Sequence, residues 1–372
     1  MRLLLFTLLA TCFLCSGQIL EPIVFNTQPA ASSWTYTTHK TVQSGQISGT
    51  LTGFTGLLPF VASPGLGVDS HFATVANGGV IQHTVTDPYG KTVPADLTIS
   101  VTASDINCAT PAAGWFVVGW NQTSGAIQLY VLGSFANGTA VYVCAGKSSQ
   151  TTWAGGSAGA GLDSNTLAFY PFGAASSVDY TDYSANGYTL TASNSPTSGT
   201  NVFGGGAVTL NGSTQFLESS GFTVPASVSF SMHAWFNPTS VAGPAAIASI
   251  AGPSGNIWAD LGGSNITLAY STASPQTPGT ATTSAWQAFD GIVADGVTNG
   301  AIAYLNLISN TTATISAFGS PQSDLTIGDF YSGGLFFFPG SIGPVRFDKT
   351  ARTLAWITAL YNMESAPSSF WM

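Results

Sequence analysis

This chain predicts an all-β protein made of two successive sandwiches, with a short helix near its C-terminal end. Three observations predict it. Forty-three glycines and nineteen prolines among 372 residues mark many turns and few long helices. Short segments rich in β-branched and aromatic residues recur at regular spacing, as strands do. From Val228 onward the even positions Val228, Phe230, Met232, Ala234 and Phe236 are apolar, whereas Ser229, Ser231 and His233 are polar. That is the period of a strand with one face in a core.

Length and composition bound the rest. The chain is long enough for two domains with separate cores, and 45% apolar with 12% aromatic residues supplies the area to bury. Charged residues make up only 6%, against roughly 25% in an ordinary soluble domain. Polar uncharged side chains must therefore cover the outer faces. The net charge is −9 with seven Lys plus Arg, which excludes a nucleic-acid partner and an anionic membrane surface.

In chain order, residues 1–17 read as a signal peptide. Arg2 is the basic segment, Leu3 to Leu14 the apolar run, and Ser16-Gly17 the small residues before cleavage. The apolar run is too short to span a bilayer. Thr11 before Cys12 and the short run ahead of it fit lipid attachment poorly. No later stretch is apolar enough to cross a membrane, so the mature product is expected to be secreted. Residues 18–33 form an arm and 34–153 a first β-sandwich. Its strands are read at Trp34–Val42, Leu57–Ala62, His83–Thr86, Val93–Val101, Trp115–Trp120, Ile127–Leu132 and Thr139–Ala145, with Asn137-Gly138 a hairpin dipeptide before the last. Gly155-Gly156-Ser157-Ala158-Gly159-Ala160-Gly161 offers almost no side chains to pack, and residues 154–164 are read as a linker. A second sandwich occupies 165–364, ending in a helix over Thr353–Asn362, followed by a tail at 365–372. Cys108 and Cys144 remain after cleavage. In a secreted chain such a pair is expected as a disulfide, the alternative being two buried thiols. Sequons stand at Asn121, Asn137, Asn211, Asn265 and Asn310 and matter only in a host that glycosylates.

Several motifs carry a resemblance. In the first half they are Trp34-Thr35-Tyr36, Leu58-Pro59-Phe60-Val61, Phe72-Ala73 with Asn77-Gly78, His83 to Asp87 with Gly90, and Val141-Tyr142-Val143-Cys144-Ala145-Gly146-Lys147. Their order resembles the domain of unknown function 2341 family, although that family's last motif usually reads Tyr-x-Tyr-Tyr-Gly-Asn. The resemblance implies a secreted or surface protein and brings no chemistry with it. In the second half they are Leu167 to Phe172, Asp182 to Gly187, Ser229 to Phe236, Trp286 with Phe289 to Val293, Ile327-Gly328-Asp329 and Gly340 to Phe347. Together they resemble the laminin-G-like, concanavalin A-like jelly-roll superfamily, with the usual Tyr-Val-Asn-Gly degraded to Tyr304-Leu305-Asn306-Leu307. That superfamily hosts lectins, adhesion modules and glycanases, so it implies a fold and no single activity.

The candidate sites follow from residue chemistry. A jelly-roll glycanase needs paired carboxylates on one strand. This half has only Glu218 and Glu364, and no catalytic residue is assigned. Gly155-Gly156-Ser157-Ala158-Gly159 matches a nucleophile motif in letters alone. His39, His71, His83 and His233 stand singly, without zinc spacing. Asp179, Asp182, Ser184 and Asn186 put oxygens in one loop, which suits a structural calcium or else a cluster of Asx turns. Asp182, Asn186 and Asp179 are the metal candidates, and no other cofactor is required. By parity His233 and Trp235 share one face, and Trp258 and Asp260 another. These four are the candidate sugar platform, the alternative being that Trp235 and Trp286 fill a core or a domain contact. Gly334 to Gly340 contains three consecutive Phe and reads as a buried lead-in or an exposed contact patch. The function expected is non-catalytic binding of an extracellular glycan or surface polymer. The alternatives are a self-associating structural surface or matrix component, and a glycan-active hydrolase with an atypical Asp-based site.

Overall fold

The computed structural model describes residues 34, 36–59, 84–102, 105, 107–120, 126–147, 149–173, 177–252, 256–270, 273–313, 321–330 and 334–372. The expected signal peptide and arm, His71, His83, the Phe72–Gly78 motifs and the Asn121 sequon lie outside them.

The described chain is all-β with a short helical end. The first half holds β1 (Tyr36–Thr41), β2 (Leu51–Pro59), β3 (Thr84–Thr86), β4 (Thr92–Pro94), β5 (Leu97–Val101), β6 (Trp115–Trp120), β7 (Ile127–Phe135) and β8 (Ala140–Ala145). Two three-stranded antiparallel sheets, β1-β8-β5 and β2-β7-β6, form its sandwich, beside a β3-β4 ribbon. The stretch read as one strand over Val93–Val101 is broken at Ala95-Asp96. Asn137-Gly138 is not a hairpin turn. It carries the chain from one sheet to the other, with Gly138 at φ 83° and its N–H donating to the Val42 carbonyl at 2.8 Å. Cys108 and Cys144 are joined by a disulfide.

The second half runs through β9 (Thr166–Tyr170), β10 (Thr191–Ser193), β11 (Thr197–Thr200), β12 (Gly206–Asn211), β13 (Phe216–Val224), β14 (Phe230–Pro238), β15 (Ala245–Ala251) and β16 (Ile257–Gly262). It continues with β17 (Asn265–Tyr270), β18 (Ala273–Thr280), β19 (Gln287–Val293), β20 (Ala301–Leu305), β21 (Ile308–Ala313), β22 (Gln322–Ile327) and β23 (Pro339–Asp348). Two helices, α1 (Leu354–Ser365) and α2 (Pro367–Phe370), end the chain. A seven-stranded sheet ordered β10-β13-β22-β15-β16-β17-β18 faces an eight-stranded one ordered β11-β12-β23-β14-β19-β20-β21, with β9 beside β23. The core between them takes Phe230, Met232, Ala234 and Phe236 from β14 and Ile257, Ala259 and Leu261 from β16. This is a jelly-roll-like sandwich, and its alternation is the one the sequence displays.

The expectation of two separate cores is corrected. A second cluster runs across the halves. It joins Phe54, Trp115, Phe116 and Tyr130 to Phe169, Tyr183, Ile292 and Tyr304 on the sandwich and to Trp356, Ile357, Leu360 and Met363 on α1. The glycine-rich segment lies in this seam and is no loose spacer. Gly155 accepts from the Trp115 N–H at 3.0 Å, Gly161 accepts from the Thr55 hydroxyl at 3.2 Å, and the Gly159 N–H donates to the Tyr89 hydroxyl at 2.8 Å. A Cβ on Gly161 would enter the Phe116 ring, and one on Gly159 would enter Ala185. The segment lacks side chains because the two halves approach too closely to admit them. The tail is equally engaged. Met372 exchanges backbone hydrogen bonds with Thr41 at 2.9 and 2.8 Å, and the Trp371 indole donates to the Leu57 carbonyl at 2.8 Å.

Candidate functional site

The four aromatic and polar candidates separate onto opposite sides of the sandwich. His233 and Trp235 do share a face of β14, but α1 covers it. Trp235 is 1% exposed and His233 4%. The Trp235 indole donates to Glu364 Oε2 at 2.7 Å and its ring stacks on Tyr361 at 5.6 Å. His233 sits between Asp290, 2.8 Å from Nδ1, and Glu364, 3.0 Å from Nε2. Burial opposes the charged ring, but Asp290 and Glu364 outweigh it and hold the imidazole up to about 10, so it is an imidazolium at neutral pH. A histidine between two carboxylates resembles general acid–base machinery. Here it has no route to a substrate and clamps the helix to the sheet. His233 and Trp235 are therefore corrected from sugar platform to domain contact.

Trp258 and Asp260 point the other way. Ile257, Ala259 and Leu261 enter the core, so the intervening pair projects from the outer face of the seven-stranded sheet and is half-buried. Cross-strand neighbours are small or hydroxylated: Ser249 and Ala269 beside Trp258, Ala246 and Thr267 beside Asp260. The rim is aromatic, with Phe330 edge-on to Trp258 at 5.1 Å and Phe336 5.3 Å beyond. Desolvation raises the Asp260 carboxyl to about 6, offset in part by a hydrogen bond from Trp258. Its Oδ1 is buried without a hydrogen-bond partner. A flat indole beside a carboxylate with spare acceptor capacity can stack on a sugar ring and accept its hydroxyls.

The aromatic rim is positioned by Asp329, which is buried and accepts from the Phe330 and Phe336 N–H groups at 2.7 and 3.0 Å and from Gly334 N–H at 2.8 Å. The Phe-rich loop is thus split between its two readings. Phe338 is fully buried, Phe336 and Phe337 are half-buried, and Leu335 is 65% exposed. Sequence reasoning missed Phe330, Phe336 and Asp329 as one unit, although Asp329 followed by Phe330 and the three Phe stands in the sequence.

The calcium reading of the Asp179–Asn186 loop is corrected toward its alternative. Asp182 is buried and both oxygens accept hydrogen bonds: Oδ1 from Phe169 and Ser184 N–H at 3.0 and 2.8 Å, Oδ2 from the Ser184 hydroxyl and Tyr188 N–H at 2.7 and 2.8 Å. Asp179 pairs with Lys91 and accepts from the Tyr183 hydroxyl at 2.9 Å. Asn186 donates its amide to the Leu167 carbonyl at 2.9 Å. These groups face donors, so they shape the loop and pin it to β9 and to the first half. Among the described residues no group of three or more His, Cys, Asp or Glu side chains converges as for a metal. Of the two carboxylates considered for a glycanase, Glu364 lies in the His233 cluster and Glu218 sits on β13 opposite Thr191 and Thr326. Trp286 is half-buried beside Gly343.

No family model matches the chain, and no curated protein does. Among solved structures, the chain is similar to domain 4 of an extracellular arabinanase of glycoside hydrolase family 43 from Geobacillus stearothermophilus, in complex with arabinotriose. The identity is 17% and the TM-score 0.45, over 53% of this chain and 98% of that domain. It is also similar to the binding domain of botulinum neurotoxin serotype G, at 16% identity and TM-score 0.40 over 54% of this chain and 52% of that one. The serotype D binding domain matches at 9% and 0.43, over 55% and 52%. The chain spans about half the length of the neurotoxin domains it matches.

Proposed function

We propose that this is a secreted, non-catalytic binding protein that holds an extracellular glycan or similar surface polymer on the outer face of its seven-stranded sheet. The laminin-G-like reading of the second half and the 2341-family reading of the first belong to the same proposal. One observation carries it: Trp258 and Asp260 stand together, half-buried, on the outer face of the seven-stranded sheet beside the Phe330 and Phe336 loop, while the other aromatic–polar pair is sealed under α1. Trp258 supplies the stacking surface, Asp260 accepts hydroxyls, and Phe330 and Phe336 bound the site. The leader-like N-terminus and the disulfide support an oxidising, extracellular destination. Among the described residues no helix is long and apolar enough to cross a membrane.

The test is a glycan array probed with the full chain, with and without calcium, followed by titration of the hits against Trp258→Ala and Asp260→Asn. Loss of about 1–3 kcal/mol on removing a stacking aromatic is expected. Silence on every glycan under both conditions, or hits that ignore both substitutions, would remove this reading.

A further inference from the structure

The first half contains a cleft of about 640 Å³ beside the disulfide, a volume in the range of small-molecule sites. Five lining side chains matter. Trp34 forms a wall, and the Lys147 ammonium lies 5.3 Å from its ring centroid. Asn107 and Gln150 bring amides, and Thr98 lines the cleft with a hydroxyl. Thr98 is 2% exposed, and its Oγ1 has no hydrogen-bond partner. Such a buried hydroxyl is costly unless something bonds it. Gln150 uses its amide N–H on the Thr152 carbonyl at 2.6 Å, leaving its oxygen as an acceptor. The Cys108–Cys144 bond ties the lining loop to β8, directly opposite Thr98 on β5, so the site is preformed.

Charge selects the ligand. In a chain of net charge −9 with seven basic residues, Lys91, Arg346 and Arg352 are held in carboxylate pairs. Lys147 is held instead by an aromatic face. No acidic residue lines the cleft among the described residues; Asp105 in the adjoining loop keeps its charge but turns it to the Ala109 and Thr110 N–H groups and the Ser100 hydroxyl, and Asp96 is buried. The cleft therefore presents one cation, one stacking ring, two amides and one unsatisfied hydroxyl.

We propose that the cleft between Trp34, Lys147 and the Cys108 loop is a second binding site, and that it takes an acidic saccharide of the uronic-acid class. The sugar carboxylate would meet Lys147, the apolar face of the ring would lie on Trp34, and hydroxyls would meet the amides and Thr98. This site is independent of the sheet face, and either can fail without the other.

The experiment is calorimetric titration of the full chain with digalacturonate and with its neutral counterpart digalactose. Wild type is expected to prefer the acidic disaccharide by about tenfold, the scale of one charge-assisted hydrogen bond, and the preference should shrink as ionic strength rises. Lys147→Met, which keeps the stem over Trp34, should abolish the preference. Thr98→Val, which keeps the shape, should weaken both sugars. A thermal melt of each variant establishes that it folds, and Lys147→Gln repeats the charge test if the Met variant does not. Equal binding of the two sugars by wild type, no binding of digalacturonate, or an undiminished preference in a folded charge-removed variant would each overturn the proposal.

Discussion

Replacing Asp260 by Asn should make the protein more stable and a poorer glycan binder, and the gain should depend on pH. Asp260 is held at about 6 by desolvation, whereas an unfolded Asp titrates near ~3.9. Between those values the folded state binds more protons than the unfolded one, so stability contributed here is present at low pH and lost as pH rises through that window. The full shift corresponds to roughly 3 kcal/mol at about 1.4 kcal/mol per unit. The group is partly open to solvent, so about 1 kcal/mol is the working figure. Asn has the same shape, bears no charge and can still accept from Trp258. Asp260→Asn should then match wild type near pH 4 and exceed it by about 1 kcal/mol above pH 7, on the order of 1–2 °C in melting temperature. Urea denaturation across pH measures it. A variant no more stable than wild type at any pH, or a difference that does not change with pH, would refute the claim that Asp260 is a strained surface carboxylate. A site that costs stability at rest and gains partners on binding is expected of a functional residue.

Three further outcomes follow from the seam and the disulfide. Glu364→Gln should cost about 3 kcal/mol, because it leaves His233 and Trp235 short of a buried charged partner, as read by denaturant unfolding. In the wild type the stability that the raised His233 contributes is fully present below about pH 6.5 and disappears as pH climbs through about 10, so alkaline melts of wild type and Glu364→Gln should converge. Gly161→Ala should cost about 2 kcal/mol or more by overpacking against Phe116, and limited proteolysis should then cut within 154–164, which stays protected in wild type. Replacing Cys108 and Cys144 together by Ala should cost about 3–4 kcal/mol, the loop-closure value for a separation of 36 residues, measured by melting under matched redox conditions.

The strands were legible where packing has a simple period. β14 and β16 bury alternate residues, and parity alone assigned each side chain to a face. Parity does not say what lies over a face. His233 and Trp235 were grouped correctly and misread as open, because their cover is Glu364, 131 and 129 residues away. The glycine run failed for a related reason: missing side chains mean freedom in a linker and close approach in a seam, and only the partner surface distinguishes them. The loop at Asp182 looked like a cation site because oxygens were countable from the sequence, while the backbone N–H groups that saturate them were not. The tail carried a usable signal. Phe370 and Trp371 are two large aromatics at the end of a Ser/Ala/Pro stretch, and both are buried against the first half.

The placement of charge explains why the two proposed surfaces are where they are. With so few charged residues, the chain concentrates them at the joint between its halves. Arg346 and Arg352 share Asp163, pair with Asp348 and stack on Trp356 at 4.8 and 4.5 Å. Lys91 reaches Asp179 across the same seam, and the His233 cluster fixes α1 from beneath. Closing this joint consumes the outer face of the eight-stranded sheet, whereas Trp258 and Asp260 stand half-buried on the outer face of the seven-stranded one. Lys147 and Asp260 stand apart from the joint, one in each half and opposite in sign. A ligand recognised by Lys147 must be anionic and sensitive to salt, whereas one resting on Trp258 beside an ionised Asp260 must be neutral and largely indifferent to it. The two sites therefore differ in ligand charge because the ionic group at each has the opposite sign, and that sign sets what can bind.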